Sequence, residues 1–140
     1  MKQFRIITLL AILVMVVAAC STSTLTTDSK NGAENSGIAY SNYNAEQFKE
    51  LIADESVFVL DTHIPEQAHI KGTDDFIPYN ELAANMNKLP EDKNTPIAVY
   101  CRSGSMSVSA SKELIAMGYT NVYNLLGGAN AWRSSGYEFE

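Results

Sequence analysis

The hydrophobic pattern of the chain changes period several times, and each change marks an element. Val57-Phe58-Val59-Leu60 is a short continuous apolar run with β-branched members that ends at Asp61, the pattern of a strand buried on both faces. Ile97-Ala98-Val99-Tyr100 repeats it and delivers the chain to Cys101. A further strand is expected over Asn121–Leu125, and a short one over Asp75-Phe76-Ile77-Pro78. Elsewhere the apolar positions fall at helical spacing. Asn44 with Gln47 three residues on is a capping-box start, and Phe48, Leu51 and Ile52 share a face, which predicts a helix from Ala45 to about Ala53. Leu82 and Met86 predict a helix over Glu81–Lys88, stopped by Pro90. Val108, Leu114 and Ile115 predict another over Ser107–Met117, with Gly118 at the C′ position. Gly127-Gly128 should turn the chain into a last short helix from Ala129 to Arg133. Strands alternating with helices predict an α/β domain with a mostly parallel sheet covered on both faces, whose functional crevice lies beyond the carboxyl ends of the strands. Cys101 falls at that edge.

The first twenty residues, MKQFRIITLLAILVMVVAAC, follow a different plan: a basic start, an uncharged apolar run from Ile6 to Ala19, and small residues before Cys20. The run is shorter than the ~20 residues a helix needs to cross the hydrocarbon core, so it reads as an export signal. Val17-Ala18-Ala19-Cys20 resembles the bacterial lipobox. That resemblance implies cleavage after residue 19, a diacylglycerol on the Cys20 sulfur, and a protein held by its lipid anchor at the membrane on the extracytoplasmic side of the cell envelope. An ordinary secretory signal, leaving Cys20 a free thiol or removing it, is the alternative. Residues 20–39, rich in Ser, Thr, Asn and Gly without apolar periodicity, are expected to form a flexible tether. The domain then occupies 40–140.

Length and composition narrow the reading further. A chain of 140 residues, 46% of them hydrophobic, holds one globular domain. Its net charge is −6, and without Lys2 and Arg5 eight basic residues face sixteen acidic ones, a net of −8. With no Lys/Arg cluster either, nucleic acid and anionic headgroups are discounted as partners. If Cys20 is acylated, Cys101 is the remaining thiol of a protein facing an oxidising compartment, where an unpaired cysteine is a liability. It is either a small buried hydrophobe or a working group, and its neighbours decide.

Those neighbours are Arg102-Ser103-Gly104-Ser105-Met106-Ser107, a small polar turn between a strand and a helix. A thiol there faces converging backbone N–H groups and the positive end of a helix dipole, which favour thiolate, and the same cradle can hold an anionic substrate. Gly104 permits unusual backbone angles, and Ser103, Ser105 and Ser107 offer hydroxyl donors. The stretch VYCRSGSMSVSASKELIAMGYTNVYNLLGGANAW resembles the C-terminal half of a rhodanese domain: the Cys-Arg-Ser-Gly loop, the Ser-led helix, the Gly-Tyr-x-Asn-Val strand and the Gly-Gly-x-x-Ala-Trp ending. The resemblance extends more weakly over about 40–140. It implies a single three-layer α/β domain in which Cys101 accepts a sulfane sulfur from a small sulfur-containing anion, becomes a persulfide, and passes the sulfur to a thiol or other thiophile. No metal or organic cofactor is implied.

The first half departs from the family pattern. The usual Asp-Val-Arg appears as Asp61-Thr62-His63, with His63 replacing a permanent cation; both Asp61 and His63 are candidate pocket residues, while a lone histidine in a polar loop is more often solvated than functional. His69-Ile70-Lys71-Gly72-Thr73 resembles His-Ile-Pro-Gly-Ala, and His69 reads as a turn brace. Met106 stands where sulfurtransferases acting on thiosulfate often carry Arg, Lys or Thr, and Arg102 either binds an anionic donor or points to solvent. Trp132 is expected to fill the core edge beside Gly127-Gly128. Cysteine phosphatases of similar fold place Arg six residues after the cysteine to clamp phosphate. Here that residue is Ser107, which argues against phosphoryl transfer. A non-catalytic rhodanese-like module, carrying sulfur or binding a protein at the cell envelope, is the alternative function.

Overall fold

A computed structural model of the protein describes residues 39–140. The expected signal segment (1–19), the expected acylation at Cys20 and the expected tether up to residue 38 lie outside the described residues. The elements in chain order are β1 (Ser41–Tyr43), α1 (Ala45–Leu51), β2 (Phe58–Asp61), β3 (Asp75–Phe76), a 3₁₀ segment (Ala83–Lys88), β4 (Ile97–Tyr100), α2 (Ser105–Ala116), β5 (Val122–Leu125) and α3 (Gly128–Ser134).

The sheet is parallel throughout, in the order β1-β5-β4-β2-β3. Every residue of the central strand β4 is buried, as its unbroken apolar run requires. Alternation along the strands sorts the core into two layers. Val59, Ala98, Tyr100 and Leu125 face α1 and α3, where Phe48 meets Tyr100 and Trp132 edge-on with ring centroids 6.5 and 6.2 Å apart. Leu60, Ile97, Val99 and Val122 face Ala110 and Leu114 of α2, with Leu82, Leu89 and Tyr119 completing that layer. Each fully buried aliphatic or Phe side chain contributes roughly 1.5–3 kcal/mol relative to an exposed one.

The capping box forms as expected: Asn44 Oδ1 accepts the Gln47 N–H at 2.9 Å while Gln47 Oε1 accepts the Asn44 N–H at 3.0 Å. Two features differ from expectation. Instead of a helix over Glu81–Lys88 there is a 3₁₀ segment over Ala83–Lys88, broken at Asn85 (φ −116°, ψ 30°). Leu82 is buried but Met86 is 52% exposed, so no continuous apolar stripe holds a helix to the core. Asn85 Nδ2 also donates to the Glu81 carbonyl at 2.9 Å, competing with the helical bond pattern. The second difference is β1, a strand whose polar Ser41 and Asn42 gave no strand signal. It is held at the sheet edge by β5, with Asn42 Oδ1 accepting from Asn124 Nδ2 at 2.8 Å and Tyr43 packed on Tyr123. At the C-terminus His69 and Glu140 exchange backbone hydrogen bonds of 3.1 and 2.9 Å, and Ile70 bridges Phe139. No helix among the described residues is long and apolar enough to cross a membrane.

Candidate active site

Cys101 follows β4 directly and is 1% exposed, at the carboxyl edge of the sheet where the strand pattern placed it. Its Sγ accepts the Gly104 N–H at 3.1 Å. Gly104 caps α2 with a left-handed backbone (φ 96°), and no side chain among the described residues caps the first amides of the helix. The loop is held from its other side by α3: the Ala129 N–H donates to the Cys101 carbonyl at 2.8 Å and the Asn130 N–H to the Arg102 carbonyl at 3.0 Å. Because the C=O and N–H of one peptide point in opposite directions, turning these carbonyls toward α3 directs the Arg102 and Ser103 N–H groups away from it. The approach is so close that a Cβ on Gly128 (φ 56°) would lie 2.2 Å from the Cys101 carbonyl oxygen.

The other loop residues divide. Ser107 is fully buried and donates its Oγ proton to the Gly104 carbonyl at 3.1 Å, so it braces the loop. Arg102, Ser103 and Ser105 are exposed and Met106 is half-buried, which places the guanidinium in solvent at the mouth.

Beside the loop, the carboxyl end of β2 carries a second cluster. Asp61 has no solvent exposure; its Oδ1 accepts the His63 N–H and its Oδ2 the His69 Nδ1–H, both at 2.9 Å. His69 Nε2 faces Glu66 Oε1 at 3.2 Å. Partial burial opposes a charge on this ring, but the hydrogen bonds and charges of Asp61 and Glu66 outweigh it and raise the His69 pKa above 6.5. The turn-bracing role expected of His69 is thus visible in its contacts. Thr62 donates both its N–H and its hydroxyl to the Tyr100 carbonyl at 2.9 Å, locking β2 to β4 one residue before Cys101. Tyr100 Oη accepts the Ile70 N–H at 3.0 Å and lies 2.8 Å from Thr73 Oγ1. Since that threonine donates to the Ile70 carbonyl at 2.6 Å, Tyr100 supplies the proton between the two hydroxyls. Burial, then the charge of Asp61, pushes the phenol far above its ordinary range and keeps it protonated.

His63 is not the solvated loop residue expected of a lone histidine: it is 8% exposed, and its Nδ1 is buried without a hydrogen-bond partner among the described residues. Trp132 lies in the core against Phe48 and donates Nε1–H to the Glu138 carbonyl at 2.9 Å, tying down the C-terminal segment, while α3 backbone amides hold the Cys101 loop. Asp61, His63 and Cys101 all stand at one edge of the sheet. The Asp61–His69 pair and the Gly128 approach are the parts that sequence reasoning did not assemble, although His69 and the Gly-Gly pair were each visible. A cavity of about 410 Å³ lined by Lys49, Ile52, Trp132 and Tyr137 lies at the C-terminal ends of α1 and α3, and none of the Cys101 loop lines it.

A buried thiol at the end of a central parallel strand, taking an amide hydrogen bond inside a glycine-bearing loop, defines a cysteine-loop α/β domain. The profile of the Rhodanese-like domain matches residues 44–135, and the chain belongs to that family. A sulfurtransferase of Allochromatium vinosum is 32% identical over 95 residues, 66% of this chain and 87% of that protein. Thiosulfate sulfurtransferase PspE of Escherichia coli is 37% identical over 68 residues, 46% of this chain and 64% of that protein. The match to thiosulfate sulfurtransferase GlpE of Coxiella burnetii spans 56% of that protein's length. Among solved structures, a rhodanese-related protein of Thermoplasma volcanium superposes with a TM-score of 0.61 at 28% identity, covering 72% of this chain and 98% of its own.

Proposed function

We propose that the protein is a sulfurtransferase that works through a persulfide on Cys101. The observation that carries this reading is the Gly104 N–H placed 3.1 Å from Cys101 Sγ, in a loop whose carbonyls are drawn away by α3. The Cys101 thiolate attacks the outer sulfur of a donor such as thiosulfate; the new Sγ–S bond forms as the donor S–S bond breaks, and sulfite leaves with the electron pair. An acceptor thiolate then attacks the outer sulfur of the persulfide and expels the Cys101 thiolate, restoring the protein. Both the thiolate and the persulfide are anions, and amides fixed in advance stabilise either form. The acidic chain offers Arg102 as the cation at the loop mouth.

We propose removal of residues 1–19, a lipid on Cys20, and a tether reaching residue 39, so that residues 40–140 work at the extracytoplasmic face of the envelope. Support comes from the apolar run and the Val17-Ala18-Ala19-Cys20 ending.

Intact mass after incubation with thiosulfate or mercaptopyruvate tests the chemistry. The expected result is one added sulfur, labile to cyanide, in the native protein and none in Cys101→Ser. Failure to form the adduct with either donor overturns it. Sulfur uptake without turnover to cyanide or thiols selects the carrier function instead.

A further inference from the structure

The carboxylate of Asp61 is fully engaged. Its two oxygens take the His63 backbone N–H and the His69 ring, so the His63 side chain receives nothing from the nearest buried charge. His63 Nδ1 is nevertheless buried and without a partner among the described residues. Buried polar groups are hydrogen-bonded as a rule, and an orphan at such an edge needs a partner from outside the fold, a water or a bound ligand. The other two such atoms, Ser111 Oγ and Asn124 Oδ1, belong to α2 and β5, within the packed layers. His63 instead stands past the edge: Asp61 pairs with Tyr100, Thr62 binds the Tyr100 carbonyl, and the next residue on each strand path leads to His63 on one side and the Cys101 loop on the other.

We infer that His63 contacts the substrate, its Nδ1 forming a hydrogen bond with an oxyanion of the small sulfane donor held at Cys101. The inference rests on the sulfurtransferase reading for the identity of the donor. An imidazole can donate to a sulfonate or carboxylate oxygen without bringing a permanent charge into a buried position, whereas the guanidinium of Arg102 stays in solvent. His63 thus sets donor recognition by a directional hydrogen bond, and the exposed Arg102 adds long-range attraction.

The chain holds two histidines, which makes the test direct. Full-length Cys101→Ser protein in detergent, labelled with ¹⁵N-histidine, is titrated with thiosulfate, which it cannot consume. Saturable displacement of the His63 ring resonances, larger than that of His69, is the expected result; unmoved His63 resonances overturn the inference. In the protein with Cys101 intact, His63→Ala should raise the thiosulfate concentration for half-maximal sulfur loading about tenfold, the loss expected for one hydrogen bond to a charged group. The limiting rate should change less, and His63→Gln should recover most of the loss. Lower melting temperature with unchanged half-saturation in both variants would mean that the ring is only packing. If the unmutated protein takes up no sulfur, the chemistry of Cys101 falls, while the titration still decides the role of His63.

Discussion

His69 Nδ1 lies 2.9 Å from Oδ2 of Asp61, a carboxylate with no contact with solvent, and the opposite ring nitrogen faces Glu66. The imidazolium satisfies both contacts at once; the neutral ring satisfies one as a donor. This explains why His69 holds its proton above its ordinary pKa of 6.5. A group whose pKa is raised by folding stabilises the fold fully below the unfolded value and loses that contribution as pH climbs through the folded one. The urea midpoint should therefore fall as pH rises from about 6.5 through the raised pKa, and His69→Gln should flatten that slope. An unchanged slope in the variant would assign the pH dependence to another group.

Gly128 and Gly118 make a controlled pair, since both have positive φ but only Gly128 meets backbone. A Cβ at Gly118 (φ 93°) has nothing within 4 Å, while at Gly128 it strikes the Cys101 carbonyl. Gly118→Ala should cost about 1 kcal/mol, the left-handed penalty alone. Gly128→Ala should cost about 3 kcal/mol or more and abolish sulfur loading. Equal urea midpoints for the two variants would contradict the close approach.

Removing the Tyr100 hydroxyl tests the link between the loop after β2 and the strand that leads to Cys101. Tyr100→Phe keeps the ring against Phe48 but leaves the Ile70 N–H unsatisfied in the interior, at a cost of about 1–3 kcal/mol. Amide exchange should accelerate at Ile70 and Thr73 more than in α2. Uniform acceleration would instead report general loosening.

For the anchor, Cys20→Ala should abolish incorporation of labelled fatty acid and release the protein from the membrane fraction, because two or more acyl chains are needed for stable attachment. Persistent labelling of the variant would place the lipid elsewhere.

Legibility in the sequence followed the range of the forces involved. Ile97–Tyr100 matched its expected strand because a continuous apolar run needs burial on both faces, and α1 began where Asn44 and Gln47 cap each other across three residues. β1 carries no local strand signal because Asn42 owes its strand geometry to Asn124, 82 residues away. At the site, Cys101 and its glycine-bearing loop could be read directly, since strand, turn and helix are contiguous there. The Asp61–His69 pair, the Tyr100–Thr73 hydroxyl bond and the α3 amides on the loop join separated segments. No local propensity announces such contacts. The Glu81–Lys88 helix fails for the converse reason: its spacing suggests a stripe, but Met86 has no core to enter.

The grip of Ala129 and Asn130 on the carbonyls of Cys101 and Arg102 also dictates a sequence of events during synthesis. When Cys101 leaves the ribosome, the segment that shapes its loop has yet to be made, and β5, its partner beside β4, is missing too. Until residues 122–134 are added, the thiol belongs to an open chain end and reacts as any unstructured cysteine does. Completion of the Cys101 loop is therefore one of the last acts of folding, and a chain cut short before Gly128 retains the thiol without its cradle.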